Sequence, residues 1–301
     1  MSKIIPFLTA HRYSIGFFDR DYLKVEKEER YGKVHWLELG DYDAGWFADP
    51  FFLEIHDNTI VLLSEEYIFQ QHKGRISLLE IEVIGGKYIL KRVKVVLESK
   101  THLSFPYIIK NNGEVYVLPE NIQNGKTIIY KYDSFNESVD EGHVLIDLPL
   151  ADPCLFDMNG FYFLMGTGGS EGNRGLNTHL EIYSSESLMG PYKRFQCIDN
   201  ERSIERGAGA VFYWPEGRLI RPTQCCENRY GEFVYFNELQ FLNGSFTEQT
   251  VFKLEPDYRM PRSKCLHTFN VMEDLCVIDG LTYRFSRLGP FVIRVLNILF
   301  G

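Results

Sequence analysis

Two aspartates sit in the same local frame a hundred residues apart. They are Asp49 in Ala48-Asp49-Pro50-Phe51-Phe52-Leu53 and Asp152 in Ala151-Asp152-Pro153-Cys154-Leu155-Phe156. After each comes a short apolar run, a polar turn (His56-Asp57-Asn58; Asp157-Met158-Asn159-Gly160) and a second apolar run. That is the pattern of a β-hairpin with one buried face. Carboxylates brought together in this way can divide acid and base roles, because like charges and burial push their pKa values apart. Asp-Pro is also a common turn opener, so neither residue carries much alone.

The frame recurs. Aligned hairpins place Asp49, Phe105, Asp152, Ala208 and His267 in one column, at spacings of 56, 47, 56 and 59 residues. Turn pairs Asn112-Gly113, Asn159-Gly160 and Glu216-Gly217 each fall midway through a hairpin, as tight turns require. A period near fifty with several short strands per unit predicts an all-β fold, a five-bladed β-propeller. Runs such as Thr127 to Tyr132 and Leu180 to Ser185 supply outer strands. The competing architecture is a large β-sandwich whose hairpins repeat by coincidence. The expected layout is one domain over residues 1–301. Residues 1–45 form a lead-in with an exposed charged patch (Lys24 to Lys33), 46–283 the blades, and 284–301 a closing or surface segment.

In a propeller, the innermost strand of each blade lines the channel, so the column residues point to the axis at one rim. The second strand of each hairpin ends at the same rim, at Glu65-Glu66, Glu120, Thr167, Gln224 and Asp279. One funnel would then gather Asp49, Asp152, His267, Glu66, Glu120, Gln224 and Asp279. The plainer readings are that Glu65 or Glu66 closes a strand and that His267 is a satisfied core histidine.

Composition narrows the class. The chain of 301 residues is 45% hydrophobic and 15% aromatic, which excludes disorder. Its formal net charge of −9 argues against a non-specific nucleic-acid binder. No apolar run is of transmembrane length, and the first ten residues are too weakly apolar for a secretory signal. The six cysteines show no metal-finger spacing. Reduced thiols in a cytoplasmic protein are expected.

Several motifs carry a resemblance. They include Trp46-Phe47-Ala48-Asp49-Pro50-Phe51, Leu63-Ser64-Glu65-Glu66-Tyr67, His102-Leu103-Ser104-Phe105-Pro106-Tyr107 and Val117-Leu118-Pro119-Glu120-Asn121. Further along stand Ser187-Leu188-Met189-Gly190-Pro191-Tyr192, Arg206-Gly207-Ala208-Gly209, Arg221-Pro222-Thr223-Gln224, Tyr230-Gly231 and His267-Thr268-Phe269-Asn270. In order and nearly throughout, the chain resembles the propeller that forms the N-terminal domain of plant glucosamine inositolphosphorylceramide transferases and occurs in bacterial proteins of surface-glycan gene clusters. More distantly it is similar to glycoside hydrolase family 43 and its furanosidase neighbours. The resemblance implies a general base at Asp49, a pKa-tuning aspartate at Asp152, and a glutamic acid opening blade four. This sequence departs there: it has Arg206-Gly207-Ala208-Gly209, with Glu201 and Glu205 just upstream.

The departure bears on chemistry. Splitting a sugar–sugar bond expels an alkoxide and needs a protonated carboxyl on the leaving oxygen. Transfer from a nucleotide or lipid phosphate expels a stable anion and needs a base with cationic stabilisation. Arg206 and Arg221 suit that role, or they neutralise the acidic funnel. The expected catalytic set is Asp49, Asp152 and Glu120, and Trp46, Glu66, Arg206, Arg221, Gln224 and His267 contact substrate. The expected function is a glycosyltransferase of surface-glycan assembly acting on a sugar or nucleotide sugar. The alternatives are a family 43-like hydrolase with Glu205 or Glu120 as acid, and a non-catalytic sugar-binding propeller. No cofactor is required, but His267 and a carboxylate ring suit a divalent cation such as calcium. The C-terminal run Phe291 to Phe300, behind Arg284 and Arg287, would lie on an anionic membrane surface, close the propeller as a strand, or pack as a helix.

Overall fold

A computed structural model describes residues 11–168, 176–200, 202–214 and 216–283. It is a five-bladed β-propeller of antiparallel sheets. Two strands, β1 (His11–Asp19) and β2 (His35–Trp36), precede the first complete blade. Blade one follows as β3 (Gly45–His56), β4 (Thr59–Ile68), β5 (Lys73–Ile84) and β6 (Lys87–Leu97), in that spatial order. Blade two has β7 (Ser104–Asn111), β8 (Glu114–Glu120), β9 (Thr127–Asp133) and β10 (Ser138–Val139), with β11 (His143–Ile146) also paired to β9. Blade three is β12 (Leu150–Met158), β13 (Phe161–Gly168), β14 (His179–Ser185) and β15 (Lys193–Asp199). Blade four is β16 (Phe212–Tyr213), β17 (Leu219–Gln224), β18 (Val234–Leu242) and β19 (Ser245–Leu254).

The fifth blade is built from both ends of the described chain. β20 (Phe269–Met272) and β21 (Leu275–Tyr283) continue outward into β1 and then β2. β1 pairs with β21 along its whole length, from His11↔Tyr283 to Asp19↔Leu275. Part of the expected lead-in is therefore two strands of a blade. Alternation along β1 explains why it fits. Ile15 and Phe17 pack toward Phe47, Leu62 and Leu79 of blade one, and Phe18 packs toward Val234 and Phe236 of blade four. A strand buried on both faces has no polar side to give, and this one reads Ser-Ile-Gly-Phe-Phe. The charged patch that follows is largely exposed, with Arg30 and Tyr31 its buried members. Arg30 is buried and donates to the carbonyls of Tyr22, Leu23 and Val25. The run from Phe291 lies outside the described residues, and none of the described helices is long and apolar enough to cross a membrane.

The cores lie between neighbouring blades, not in one layer between two sheets, which separates this fold from a sandwich. The expected turns form as read. Asn112-Gly113 and Asn159-Gly160 are the two central residues of their hairpins and have positive φ at both, the condition for a type I′ turn. Glu216-Gly217 also have positive φ but sit in a wider turn closed by the Gly217 N–H on the Trp214 carbonyl.

A second repeated feature positions the site. In blades one, two and three the inner strand bulges at its rim end, with two residues facing one across the ladder. The residues are Asp49-Pro50, Phe105-Pro106 and Asp152-Pro153. Proline has no N–H to give the ladder, and the residue before it turns into the left-handed region (φ 48° at Asp49, 46° at Phe105, 43° at Asp152). Such backbone costs about 1–3 kcal/mol and persists only where surrounding contacts fix it.

If β1 seals the ring, truncating its most buried side chain should act as a core mutation. Phe17→Ala is expected to lower the urea-unfolding free energy by about 3–5 kcal/mol. A loss near zero would mean that β1 is dispensable.

Candidate functional site

Asp49, on blade one, is held from two other blades. Its Oδ1 accepts from the Thr268 hydroxyl (2.5 Å) and its Oδ2 from the Phe105 backbone N–H (3.1 Å). Its own N–H donates to Asp279 Oδ2 (3.2 Å). Asp279, fully buried on β21, also takes the N–H groups of His267 and Thr268 on Oδ1 (3.1 Å each) and the His267 Nδ1 proton on Oδ2 (2.6 Å). Burial opposes charge on His267, but Asp279 and Asp49 outweigh it and raise its pKa to about 9. His267 is thus an imidazolium at neutral pH. Burial raises the Asp49 pKa; the His267 charge pulls it down and Asp279 pushes it up.

Asp152 lies in the same field: Asp49 adds to the rise in its pKa, and Asp152 adds to that of His267. Arg206 forks across two acids of different blades, with Nε on Asp152 Oδ2 (2.5 Å) and one Nη on Glu120 Oε2 (2.8 Å). Glu120 Oε2 also accepts the Asp152 N–H (2.9 Å). Gln224 Nε2 donates to Asp152 Oδ2 (2.8 Å) and to the Gly207 carbonyl (2.7 Å). The two carboxyls diverge. Burial, with Glu120 adding to it and Arg206 opposing, lifts Asp152 well above the usual range. Against burial, Arg206 and the bonds from Asp152 hold Glu120 below it.

An aromatic wall edges this mouth. Tyr67 stacks on Trp46 (4.6 Å, 5°), Trp46 tilts onto Tyr13 (5.1 Å), and Tyr13 stacks on His267 (4.6 Å, 11°). Tyr230 meets His267 edge-on (5.5 Å) and lies under the Arg206 guanidinium (5.1 Å). On the blade-two side Glu65 is buried, and burial lifts its pKa to about 7 despite the nearby His102. The Gly74 N–H donates to His102 Nδ1 (3.0 Å), which assigns the ring proton to Nε2, 3.2 Å from Glu65 Oε1. That approach lacks hydrogen-bond angles, and Glu65 Oε1 is a buried acceptor without a donor; Gln224 Oε1 is another. Gly74 permits the arrangement, since a Cβ there would come within 2.6 Å of Glu65 Oε1.

Other expected residues lie off the axis. Glu66 accepts from the Tyr42 hydroxyl (2.7 Å), Arg75 Nε (2.8 Å) and the Ser77 hydroxyl (2.5 Å). Tyr42 in turn lines a separate cavity of about 640 Å³ with Arg12, Trp36 and Arg262. Arg221 is buried in blade four, with Glu205 at 3.0 Å and Glu248 paired on two nitrogens, so its donors are occupied. Glu205 is held by Arg221 and by Asn200 (2.8 Å). Glu201 is outside the described residues. Thr167 donates to the Leu176 carbonyl (2.6 Å). Blade four therefore presents Arg206, and no carboxyl, beside Ala208.

Ligand atoms of Asp49, His267 and Asp279 lie within 4.8 Å of one another, as a cation site would require. The donor set fits poorly: both Asp279 oxygens are engaged and His267 carries the positive charge itself. Thr268, His102, Tyr13 and Tyr230 were not among the site residues expected from sequence. The motifs around His267, His102 and Tyr230 pointed near three of them. Tyr13 gave no signal, because it reaches the mouth only when β1 closes blade five.

A sequence model of the family described as "Glucosamine inositolphosphorylceramide transferase 1, N-terminal" matches residues 37–262. Among curated proteins the chain is 29% identical over 209 residues to glucosamine inositolphosphorylceramide transferase 1 of Arabidopsis thaliana, covering 66% of this chain and 26% of that protein. Its counterpart in Oryza sativa subsp. japonica is 28% identical over 207 residues, covering 67% and 27%. The chain thus spans about a quarter of the length of these relatives. Among solved structures, an endo-arabinase from Bacteroides thetaiotaomicron superposes with a TM-score of 0.55 at 13% identity, covering 71% of this chain and 82% of that one. An exo-β-1,3-galactanase from Phanerochaete chrysosporium gives 0.52 at 17%, covering 69% and 49%. At these identities the structural likeness concerns the fold.

Two measurements check the electrostatics. Arg206→Ala leaves Asp152 and Glu120 facing each other without a countercharge, and should cost about 3–5 kcal/mol at neutral pH. Acid should restore part of it as the pair takes up a second proton; an equal loss at pH 4 and pH 8 would contradict this. The raised His267 pKa contributes stability that is fully present below pH 6.5 and lost as pH rises through about 9, at most about 3 kcal/mol. His267→Asn should flatten the urea-unfolding free energy over that window, and parallel curves would show that His267 is neutral.

Proposed function

Because the chain belongs to the family of glucosamine inositolphosphorylceramide transferase N-terminal domains, we propose that its axial mouth binds a sugar and transfers a glycosyl group from a phosphate-linked donor. The relatives' name supplies the transferase class, and the chemistry of the mouth supplies the mechanism. Acceptors at Gln224 Oε1 and at Glu65 Oε1, which faces only His102 Nε2 at 3.2 Å, suit hydroxyl donors. The half-buried faces of Tyr67, Trp46 and Tyr13 offer flat apolar area for a sugar ring.

The observation that carries transfer over hydrolysis is Arg206. It stands where a proton-donating carboxyl would have to open blade four, and it keeps Glu120 ionised. In the proposed step, Asp49 takes the proton of an acceptor hydroxyl as that oxygen bonds to the anomeric carbon. The bond from that carbon to the phosphate oxygen breaks, and the phosphate leaves with the electron pair. It needs no proton. Positive charge on His267 and Arg206 stabilises the departing anion. Asp152 and Glu120 order the sugar hydroxyls, and Gln224 holds Asp152 in place. We place this chemistry in the cytoplasm, in surface-glycan assembly, where nucleotide sugars are supplied. A cation between Asp49, His267 and Asp279 would require His267 to lose its proton first.

Hydrolysis remains the second reading on one observation, the Glu65 pKa of about 7. A carboxyl half-protonated at neutral pH can act as a general acid.

A panel of nucleotide sugars with mono- and disaccharide acceptors, read by mass spectrometry, tests the proposal. Donor consumption is expected, falling about 10²–10⁴-fold in Asp49→Asn while saccharide binding persists. Release of sugar from aryl furanosides that depends on Glu65, with no donor consumed, would favour hydrolysis. Binding without turnover of either kind would leave a sugar-binding module and overturn the transferase reading.

A further inference from the structure

On the outer half of blade three, four chemistry-bearing side chains share one face. β14 and β15 pair with His179 opposite Asp199 and Glu181 opposite Cys197. Residues two apart on a strand point the same way, so one imidazole, one thiol and two carboxylates converge. None of them belongs to the axial site.

The distances resemble a coordination shell. His179 Nδ1 is 2.5 Å from Asp199 Oδ1 and 3.5 Å from Cys197 Sγ. The ligand atoms of His179, Cys197 and Asp199 all lie within 4.8 Å of one another. A tetrahedral zinc with Zn–N and Zn–O near 2.0 Å and Zn–S near 2.3 Å has ligand–ligand edges of about 3.3–3.6 Å. The Nδ1–sulfur distance already has that length; the nitrogen–oxygen edge must open by less than an ångström, and Cys197 must turn its sulfur away from Nε2 to the Nδ1 side. Asp199 is the member free to move, since its side chain is 80% exposed.

The second ring nitrogen supplies an independent observation. His179 Nε2 lies 3.2 Å from Oε1 of Glu181, which is fully buried. Glu181 Oε2 is fixed in turn by Arg194 Nε (2.9 Å) and the Tyr183 hydroxyl (3.2 Å). A carboxylate that takes the far N–H of an imidazole sets its tautomer and aims the other nitrogen, as at histidine-ligated metal centres. Here the aimed nitrogen is Nδ1, the one facing Asp199; Cys197 Sγ lies beside the ring, 3.3 Å from Nε2 and 3.5 Å from Nδ1.

We propose that His179, Cys197 and Asp199 form a binding site for a thiolate-accepting divalent metal of the zinc class, oriented by Glu181. One sulfur and one nitrogen ligand select against calcium and magnesium. The fourth position faces solvent beside Asp199 and takes water. Binding displaces the Cys197 thiol proton to solvent and ties edge strand β15 to β14 near the rim. The inference does not rest on the sugar chemistry of the mouth.

Cobalt(II) is the probe, because a thiolate ligand gives it a charge-transfer absorption band. The full chain, stripped with a chelator, is titrated with cobalt(II) and then with zinc(II). One equivalent of cobalt should produce the band and zinc should abolish it. Cys197→Ser should remove the band, and Asp199→Asn should weaken cobalt binding tenfold or more. Both residues lie at an exposed edge, so these variants should keep the wild-type unfolding curve. His267→Asn should leave the band unchanged, which separates this site from the axial cluster. No thiolate band in excess cobalt, or a band that survives Cys197→Ser, would overturn the proposal.

Discussion

Arg206 joins three blades through one guanidinium. Its nitrogens reach Asp152 on blade three and Glu120 on blade two from the opening of blade four. Without that charge two buried carboxyls would share one oxygen-rich pocket, and burial together with mutual repulsion would force at least one proton onto the pair. With it, Glu120 is held below the usual carboxylate range, while burial and Glu120 lift Asp152 above it against the pull of Arg206. His267 is a second cation at this mouth, placed between Asp49 and Asp279. The mouth is thus a set of acids whose proton content is decided by two cations, and a ligand must be recognised against that background.

The backbone supplies the geometry. The bulges at Asp49-Pro50 and Asp152-Pro153 turn the aspartates out of the ladder, and the same bulge at Phe105-Pro106 presents a backbone N–H to Asp49. The strain at these positions is retained by bonds that cross from blade to blade. Those that join Asp49 to Thr268 and Asp279 form only when the ring is closed, so β1 is coupled to the chemistry although it lies at the far end of the sequence. Closure also brings Tyr13 against His267 and Trp46.

Much of this was legible in the residues, for identifiable reasons. Period-two alternation, turn glycines and the fifty-residue repeat fix the blade count and the hairpin register. The column at Asp49, Asp152 and His267 follows from that register alone, and so do Glu120 and Gln224 at the strand ends. Legibility failed on the alternate face of the same strands. Glu66 follows Glu65 by one residue and Arg221 precedes Gln224 by three, and an odd step along a strand reverses the face; both enter ion pairs within their own blades. The adjacent Glu65 has the perturbed carboxyl instead. Side chains contributed by β1 were unreadable because nothing local says that His11–Asp19 pairs with Leu275–Tyr283. The blade-three cluster escaped as well: His179 and Cys197 are eighteen residues apart and meet only through strand pairing.

Carboxyl-carbon NMR of Asp152 and Glu120 through an acid titration tests the central claim most directly. The account predicts that Glu120 stays ionised below the usual glutamate range while Asp152 keeps its proton well above the usual aspartate range. Two carboxyls titrating together at ordinary values would contradict it, and Arg206 would then no longer explain how the mouth is charged.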